Sequence, residues 1–289
     1  MMTIFCNYVR GVTFFANKVL SLLIGKEKYK HKTYKVMKKL LTLAICLCAS
    51  SALFAQTTQI IAHRGFHATK NSVRNSLSAL QNAQDFAAYG SECDINETAD
   101  GVLVVVHGPM HGKYNVQETD FATLRAQALE NGEVLPTFEE YLVQTKKNTA
   151  TKLIIEIKDH STPSIETRVV KNVLKMVKQH KLVNDVEYIA FRQHVCDELV
   201  KYGPKGIKVA YLNGTLTPEY CKDLGYTGID YNIGVMQKNP DWIKKSQALG
   251  LTVNVWTVND TERIQWCIDQ KVDYITTDNP EEVKRLLGK

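Results

Sequence analysis

Short apolar runs rich in β-branched residues alternate along this chain with longer amphipathic stretches. Such runs, only four to six residues long, are typical of buried strands. They lie at 60–63, 90–95, 102–107, 153–158, 186–191, 208–212, 228–231, 252–257 and 272–276. Stretches with helical periodicity lie between most of them, at 75–88, 137–147, 165–180, 194–202, 218–224, 240–249 and 261–271. This order of elements predicts a parallel sheet with helices packed against it.

The second and third runs are too close together for both to be parallel strands. Only residues 96–101 separate them, and they end in Asp100-Gly101, a hairpin turn signal. A parallel crossover needs a dozen or more residues, so the third run is predicted to fold back antiparallel on the second. Eight parallel strands remain. The 234 residues from 56 to 289 therefore predict one α/β domain, a (β/α)8 TIM barrel with a small β-hairpin extension after the second strand.

Residues 37–55 have the order of a secretory signal peptide. Met37-Lys38-Lys39 gives a basic start, and 40–48 form an apolar core that is short for a bilayer span. Small residues then lead to Ala55. Cleavage there would leave Gln56 as the mature N-terminus, which predicts a periplasmic or secreted protein without stable membrane insertion after processing.

Residues 1–36 precede that segment and contain an apolar stretch followed by a lysine-rich run. We interpret them as an upstream extension or mis-called start, with translation beginning at Met37. A genuine N-terminal anchor is the alternative.

The positive net charge belongs to the leader and not to the body. Residues 1–55 hold nine Lys or Arg and one acid, which leaves 27 basic and 29 acidic residues in 56–289, a net charge of about −2. A nucleic-acid-binding domain should keep a basic face after this correction, so nucleic acid is not an expected partner. The sequence gives no indication of the oligomeric state.

The cysteines of the body show neither a CxxC pair nor the Cys/His spacing of a zinc site. Export would permit disulfides, but a domain of this size does not need them. We therefore expect buried free thiols at the four positions Cys93, Cys196, Cys221 and Cys267.

Carboxylates recur at alternate positions on two neighbouring parallel strands. Glu92 and Asp94 share one face of the first strand, and Glu156 and Lys158 share one face of the next. Because active sites of such barrels lie at the carboxyl ends of the strands, these side chains should converge at one mouth. Three converging carboxylates favour a hard divalent cation with oxygen ligands. The alternative is an ion-pair network with Lys158 and Arg64.

Two histidines, His63 and His107, end strands beside this cluster. A lone histidine is usually structural, but two beside converging carboxylates favour a general acid/base pair. Arg64 adds a guanidinium fork that suits a phosphate. Together these groups indicate attack on a phosphate ester.

Seven motifs then occur in the order found in the glycerophosphodiester phosphodiesterase family, which the sequence resembles over essentially all of 59–289. They are His63-Arg64-Gly65, Glu92-x-Asp94 with Thr98-x-Asp100-Gly101, Val104-Val105-Val106-His107, Leu135-Pro136-Thr137-Phe138-Glu139-Glu140, Ile155-Glu156-Ile157-Lys158, Val255-Trp256-Thr257 and Thr277-Asp278-Asn279-Pro280. Each motif is weak alone, but all seven in order are specific.

The resemblance implies one divalent cation, Ca²⁺ or Mg²⁺, with Glu92, Asp94 and Glu156 as its ligands. It implies that His63 and His107 are the acid/base pair. It also implies hydrolysis of a small-molecule glycerophosphodiester to glycerol 3-phosphate and an alcohol, through a cyclic phosphate.

The resemblance further places Arg64 and Lys158 on the phosphate and Trp256 against the glycerol. Two positions depart from the family pattern. Arg74 stands where an acid is usual, and Gly108 follows His107 where an aspartate is usual. Because both departures lie in loops that rim the expected pocket, substrate preference is the property that they put in doubt.

The loop after His107 contains Met110, His111 and Tyr114, which we interpret as solvated residues rather than substrate contacts. Two alternatives to hydrolysis stay open. One is a phospholipase-D-like lyase that releases a cyclic phosphate. The other is a non-catalytic barrel that binds a phosphorylated ligand.

Overall fold

Nine strands form the main sheet of the computed structural model, which describes residues 58–69 and 71–289. Eight of them are parallel, and the ninth is the antiparallel partner of the second. A separate pair of two-residue strands comes directly after this antiparallel strand in the chain. In chain order the strands are β1 (Gln59–Ala62), β2 (Gly90–Glu97), β3 (Leu103–Val105), β4 (Met110–His111), β5 (Tyr114–Asn115), β6 (Lys152–Ile157), β7 (Val186–Ala190), β8 (Val209–Tyr211), β9 (Gly228–Asn232), β10 (Thr252–Trp256) and β11 (Tyr274–Thr277).

The first strand closes the sheet into a barrel. The strand order is β1-β11-β10-β9-β8-β7-β6-β2-β3, and β1 also pairs with β2. Both neighbours of β1 are parallel to it, with Gln59 opposite Tyr274 and Ile61 opposite Gly90. The predicted (β/α)8 barrel is therefore confirmed.

Helices follow most of the strands and cover the outside of the barrel. They are α1 (Leu77–Asp85), α2 (Phe121–Arg125), α3 (Phe138–Thr145), α4 (Pro163–Gln179), α5 (Gln193–Tyr202), α6 (Pro218–Asp223), α7 (Ile233–Lys238), α8 (Asp241–Ala248), α9 (Thr261–Asp269) and α10 (Pro280–Leu286). The sequence patterns missed α2, α7 and α10. These helices have only five to seven residues, so each makes at most about two turns and carries a weak periodic signal.

The predicted hairpin is present after the second barrel strand. Ile95 lies opposite Val105, and Glu97 lies opposite Leu103. Gly101 makes the turn at φ +85°, a conformation that favours glycine. The returning strand ends at Val105, so His107 lies two residues beyond the last paired position and not within the strand.

The alternation along β2 divides its side chains between the barrel interior and the helical layer. Cys93 and Ile95 belong to the large core between strands and helices. A smaller cluster, with Ile61 and Ile154 among its members, fills the barrel interior. Within the described residues, the four cysteines of the body are free and buried, as expected.

Replacing Cys93 with alanine tests this register. Because the thiol is fully buried on the outward side of β2, Cys93→Ala should lower the free energy of unfolding by about 1 kcal/mol through a small packing defect. It should leave most of the activity intact. Denaturant unfolding and steady-state kinetics on the same preparation measure both effects. Loss of turnover in a folded variant would mean that the assignment of the two faces of β2 is wrong.

The signal peptide predicted at 37–55 and the extension at 1–36 lie outside the described residues, and their boundaries stay predictions. In 58–69 and 71–289, none of the helices combines the length and apolar character that a membrane span requires.

Candidate metal-assisted active site

Three buried carboxylates meet at the carboxyl end of the barrel. Glu92 and Asp94 come from β2 and Glu156 from β6, where Asp94 and Glu156 are directly opposite in the parallel register. One oxygen from each of the three lies within 4.8 Å of the others. We call Glu92, Asp94 and Glu156 the acidic trio. Their convergence is the arrangement that the alternating pattern predicted.

Burial and mutual repulsion act on the titration of the acidic trio. Burial, followed by the charges of Asp94 and Glu156, raises the pKa of Glu92 well above its usual range. Burial and the charge of Asp94 raise the pKa of Glu156 to about 7. Burial also acts to raise the pKa of Asp94, but Lys158 and Arg64 outweigh it and lower this pKa. The site therefore resists carrying three negative charges unless a cation is added.

Two basic side chains already contact the acidic trio. Lys158 Nζ lies 2.6 Å from Glu156 Oε1 and 3.3 Å from Asp94 Oδ1, and Arg64 Nε lies 3.3 Å from Asp94 Oδ2. The contacts that an ion-pair network with Lys158 and Arg64 would make are therefore present. These ion pairs involve Asp94 and Glu156, whereas Glu92 Oε1 is buried with no hydrogen-bond partner among the described residues. A buried carboxylate oxygen of this kind fits a cation ligand, because leaving it unpaired is costly.

The backbone after β1 is shaped to meet the acidic trio. Arg64 has φ +55°, and its N–H donates to Glu92 Oε2 at 2.7 Å. Gly65 follows at φ +81°, and a Cβ there would lie 2.5 Å from the Ala79 Cβ. Glycine is therefore required where this loop crosses α1.

Asn75 is a site residue that the sequence analysis did not single out. Its Nδ2 donates to Asp94 Oδ2 at 2.8 Å, and its Oδ1 accepts the Asp94 backbone N–H at 3.3 Å. The side chain thereby fixes the orientation of one acidic oxygen, as partners of metal-ligating carboxylates commonly do. The only sequence signal for Asn75 was its position next to Arg74, one of the two departures from the family pattern.

The two predicted histidines differ in their hydrogen-bond partners. His63 Nδ1 lies 2.8 Å from Asp278 Oδ1, whereas His107 Nδ1 lies 3.0 Å from the carbonyl oxygen of Gly108. Burial lowers the pKa of His107, and the nearby Lys158 lowers it further against the opposing charge of Asp94. His107 thus lies close enough to the acidic trio for the charge of Asp94 to act on its pKa, which agrees with the expected position of His107 beside these carboxylates.

Aromatic side chains line the mouth beside Lys158. The Trp256 indole Nε1 donates to the Asp230 carbonyl oxygen at 2.8 Å, which fixes the ring at the end of β10. Phe191 packs edge-on against it with the ring centroids 5.4 Å apart. Lys158 Nζ lies 5.9 Å from the centroid of Phe191. Phe191 directly follows β7, and no sequence pattern around it predicted that it would lie at the mouth.

The two departures from the family pattern have distinct surroundings. The Arg74 side chain is 54% exposed, and its Nη2 lies 3.7 Å from Asp278 Oδ2 rather than against the acidic trio. Gly108 has φ +66°, and a Cβ there would lie 3.1 Å from Asn96 Nδ2. An aspartate at position 108 would therefore be strained in this backbone.

The loop after Gly108 is more ordered than the solvated loop that we expected. It forms the β4–β5 hairpin, in which Met110 pairs with Asn115. Met110 is half exposed, but His111 is buried and its Nε2 lies 2.9 Å from the Gln127 carbonyl oxygen. The interpretation of His111 as a solvated residue is therefore wrong, because a hydrogen bond compensates for its burial.

Comparison with known proteins gives one family. Residues 63–282 match the model of the glycerophosphoryl diester phosphodiesterase family. A curated glycerophosphodiester phosphodiesterase from Caldanaerobacter subterraneus is 26% identical over 248 residues, covering 80% of this chain and 98% of the relative.

Solved structures of phosphodiesterases resemble the fold of this chain over most of its length. A glycerophosphodiester phosphodiesterase from Parabacteroides distasonis has a TM-score of 0.79 and 43% identity, covering 81% of this chain and 98% of that one. A phosphodiesterase from Oleispira antarctica, solved in complex with its product sn-glycerol-3-phosphate, has a TM-score of 0.69 and 20% identity, covering 82% and 99%. At that identity the second likeness concerns the fold alone.

Proposed function

Because the chain belongs to the glycerophosphoryl diester phosphodiesterase family and is a phosphoric diester hydrolase, we propose that it cleaves glycerophosphodiesters to glycerol 3-phosphate and an alcohol with one divalent cation. The observation that carries this proposal is the meeting of the acidic trio, with its unpartnered Glu92 oxygen, and two histidines at one barrel mouth. All-oxygen ligands favour Ca²⁺ or Mg²⁺.

Glu92, Asp94 and Glu156 would hold the cation. When bound, it would neutralise the phosphate and make the neighbouring glycerol hydroxyl more acidic. Lys158 and Arg64, which already face the acidic trio, have donors to spare for the phosphate oxygens. Trp256 and Phe191 offer an apolar wall against which the glycerol carbons can pack.

Proton transfer is assigned to the two histidines. His63 takes the proton of the glycerol 2-hydroxyl as its oxygen attacks phosphorus, and the bond from phosphorus to the alcohol oxygen breaks. His107 gives a proton to that departing oxygen. The Nδ1 of His107 faces a neutral carbonyl oxygen and burial lowers the pKa of His107, so its protonated form is a stronger acid than a free imidazolium.

The products of this first step are the free alcohol and a cyclic glycerol phosphate. Water then opens the ring with the roles reversed: His107 accepts a proton from water, and His63 returns one to the 2-oxygen. Glycerol 3-phosphate leaves, and both histidines regain their starting protonation.

Turnover of glycerophosphocholine by the purified protein tests the proposal. With added Ca²⁺ or Mg²⁺, phosphorus NMR should show glycerol 3-phosphate as the final product. Accumulation of cyclic phosphate would replace hydrolysis with the lyase reaction. If neither product forms from any of several glycerophosphodiesters, the protein is a binding module.

The metal-free site predicts a dependence of stability on pH. The pKa of Glu156 is raised to about 7, so between its usual value and 7 the folded state binds more protons than the unfolded state. The stability that protonated Glu156 gives the metal-free protein should therefore fall as pH rises through this window, and this contribution should be lost above it. A bound cation would favour the ionised form of Glu156 and so remove this loss of stability. The difference in Tm between metal-loaded and chelated protein should therefore widen as pH rises.

Thermal unfolding from about pH 5 to pH 8, with excess Ca²⁺ or excess chelator, measures that gap. Asp230 is a useful internal control. Burial raises its pKa to about 8, so it adds a slope of the same sign with or without the cation. A Glu156→Gln variant should show less widening of the Tm gap with pH, and the part that remains comes from Glu92, whose pKa is also raised. A constant gap in the unaltered protein would contradict the metal assignment.

We further propose that the protein is exported. The order of basic, apolar and small residues in 37–55 supports this assignment. Mature protein recovered from the periplasm or medium of native cells should begin near Gln56, as measured by intact mass and N-terminal sequencing. Retention of 1–36 in that protein would rule the assignment out.

A further inference from the structure

Asp278 gathers four polar groups at the barrel mouth without belonging to the acidic trio. It follows the last strand, and its Oδ1 lies 2.8 Å from His63 Nδ1 and 2.9 Å from His67 Nε2. Its Oδ2 accepts a hydrogen bond of 2.9 Å from Asn259 Nδ2. Arg74 is the other charged group that faces it, at 3.7 Å. These contacts come from the loop after β1 and the loop after β10.

The carboxylate itself is fixed from behind. Asn259 Oδ1 accepts the backbone N–H of Asp278 at 2.8 Å and the Thr277 hydroxyl at 3.1 Å. Burial acts to raise the pKa of Asp278, but hydrogen bonds from His63 and His67 outweigh it and hold the pKa far below its usual range. Asp278 is therefore an ionised acceptor whose position is set by the loop after β1 and the loop after β10.

An ionised carboxylate on His63 Nδ1 determines which tautomer that ring adopts. Asp278 can only accept, so Nδ1 must carry the hydrogen and Nε2 keeps its lone pair. The negative charge also stabilises the imidazolium that forms when Nε2 takes a proton. The Nδ1 of His107 instead faces the carbonyl oxygen of Gly108, which favours the same tautomer but places no negative charge beside the ring. The charge beside His63 favours its role as the base, and His107 has no such charge on its Nδ1 side.

We propose that Asp278 is a positioning residue for the reaction, which holds His63 in the proton-accepting tautomer and is itself held by His67 and Asn259. This inference rests on the function proposed above. Asp278 acts only through His63, so its effect should appear in the rate of the step that needs a base and not in substrate or metal binding.

Asp278→Asn keeps the size of the side chain and removes its charge. We expect kcat to fall by at least about 10²-fold, with little change in KM or in Ca²⁺ affinity measured by calorimetry. Asp278→Glu should recover part of kcat. Asp159→Asn is the matched control, since Asp159 also follows a barrel strand at this end but is half exposed and pairs with Arg192. It should be nearly silent.

A double-mutant cycle separates positioning from general support of the mouth. In a His107→Ala background, Asp278→Asn should lower the residual kcat by the same factor as in the unaltered enzyme. In a His63→Ala background it should cause no further loss, because the residue through which it acts is gone. Equal losses in both backgrounds, or an effect on KM alone, would overturn the proposal.

A second variant keeps the inference testable if Asp278→Asn does not fold. His67→Ala removes one donor to Asp278 without touching His63, and should give a smaller fall in kcat with the same dependence on the His63 background. Loss that is independent of His63 would again overturn the proposal. If the unaltered protein turns over no glycerophosphodiester, the proposed function fails instead, and the two failures are thereby distinguished.

Discussion

His107→Ala is expected to lose about 10²–10⁴-fold in turnover of a glycerophosphodiester with an ordinary alcohol, and to regain most of it with a nitrophenyl ester of glycerol phosphate. The reason is the leaving group. An ordinary alkoxide needs a proton as it departs, whereas nitrophenolate is stable without one. The acid is therefore dispensable only for the activated substrate. Comparing kcat for the two substrates measures the rescue.

His63→Ala provides the matched comparison. A base is needed to activate the attacking hydroxyl whatever alcohol departs, so this variant should stay slow with both substrates. Rescue of His63→Ala alone would reverse the assignment of base and acid. If neither variant is rescued, both imidazoles serve binding or positioning, and the acid/base proposal is wrong.

Excess chelator, or Asp94→Asn in the presence of metal, should lower turnover by about three orders of magnitude, which corresponds to the loss of several kcal/mol of charge stabilisation. Asp94 contacts both basic side chains and lies within 4.8 Å of the other two carboxylates, so removing its charge disturbs the whole ligand set. Added Ca²⁺ or Mg²⁺ should restore the chelated enzyme and should not restore the variant. Steady-state kinetics and calorimetric metal titration check both parts.

Folding should survive both treatments, because the core around β2 consists of apolar contacts that do not involve the cation. The melting of metal-free Asp94→Asn should be close to that of metal-free unaltered protein. Cys93→Ala, on the same strand, should show the opposite pattern of reduced stability and retained activity. Full activity in excess chelator would mean that the carboxylates form only an ion-pair network with Lys158 and Arg64.

The features that local sequence predicted depend on short-range geometry. Period-two alternation placed Glu92 and Asp94 on one face and Cys93 on the other, and Asp100-Gly101 identified the hairpin. Both inferences need only neighbouring residues, since strand geometry and turn chemistry are local.

The features that sequence reasoning missed depend on distant contacts. Asp278 meets His63 across 215 positions of the chain, and nothing near either residue indicates the pairing. His111 was misjudged for the same reason, since its partner Gln127 belongs to a loop with no recognisable pattern. Hydrogen bonds between loops of a barrel mouth follow from the closure of the whole sheet, which local patterns do not encode.

The pairing of β1 with β11 also has a consequence for biosynthesis. His63 follows the first strand and Asp278 the last, so their contact forms only when the two ends of the sheet meet. In a nascent chain still on the ribosome, the acidic trio and both histidines are already synthesised, whereas the carboxylate that we propose orients His63 is not yet made. On the proposed role of Asp278, full turnover therefore waits until the last strand has been synthesised and has paired with the first.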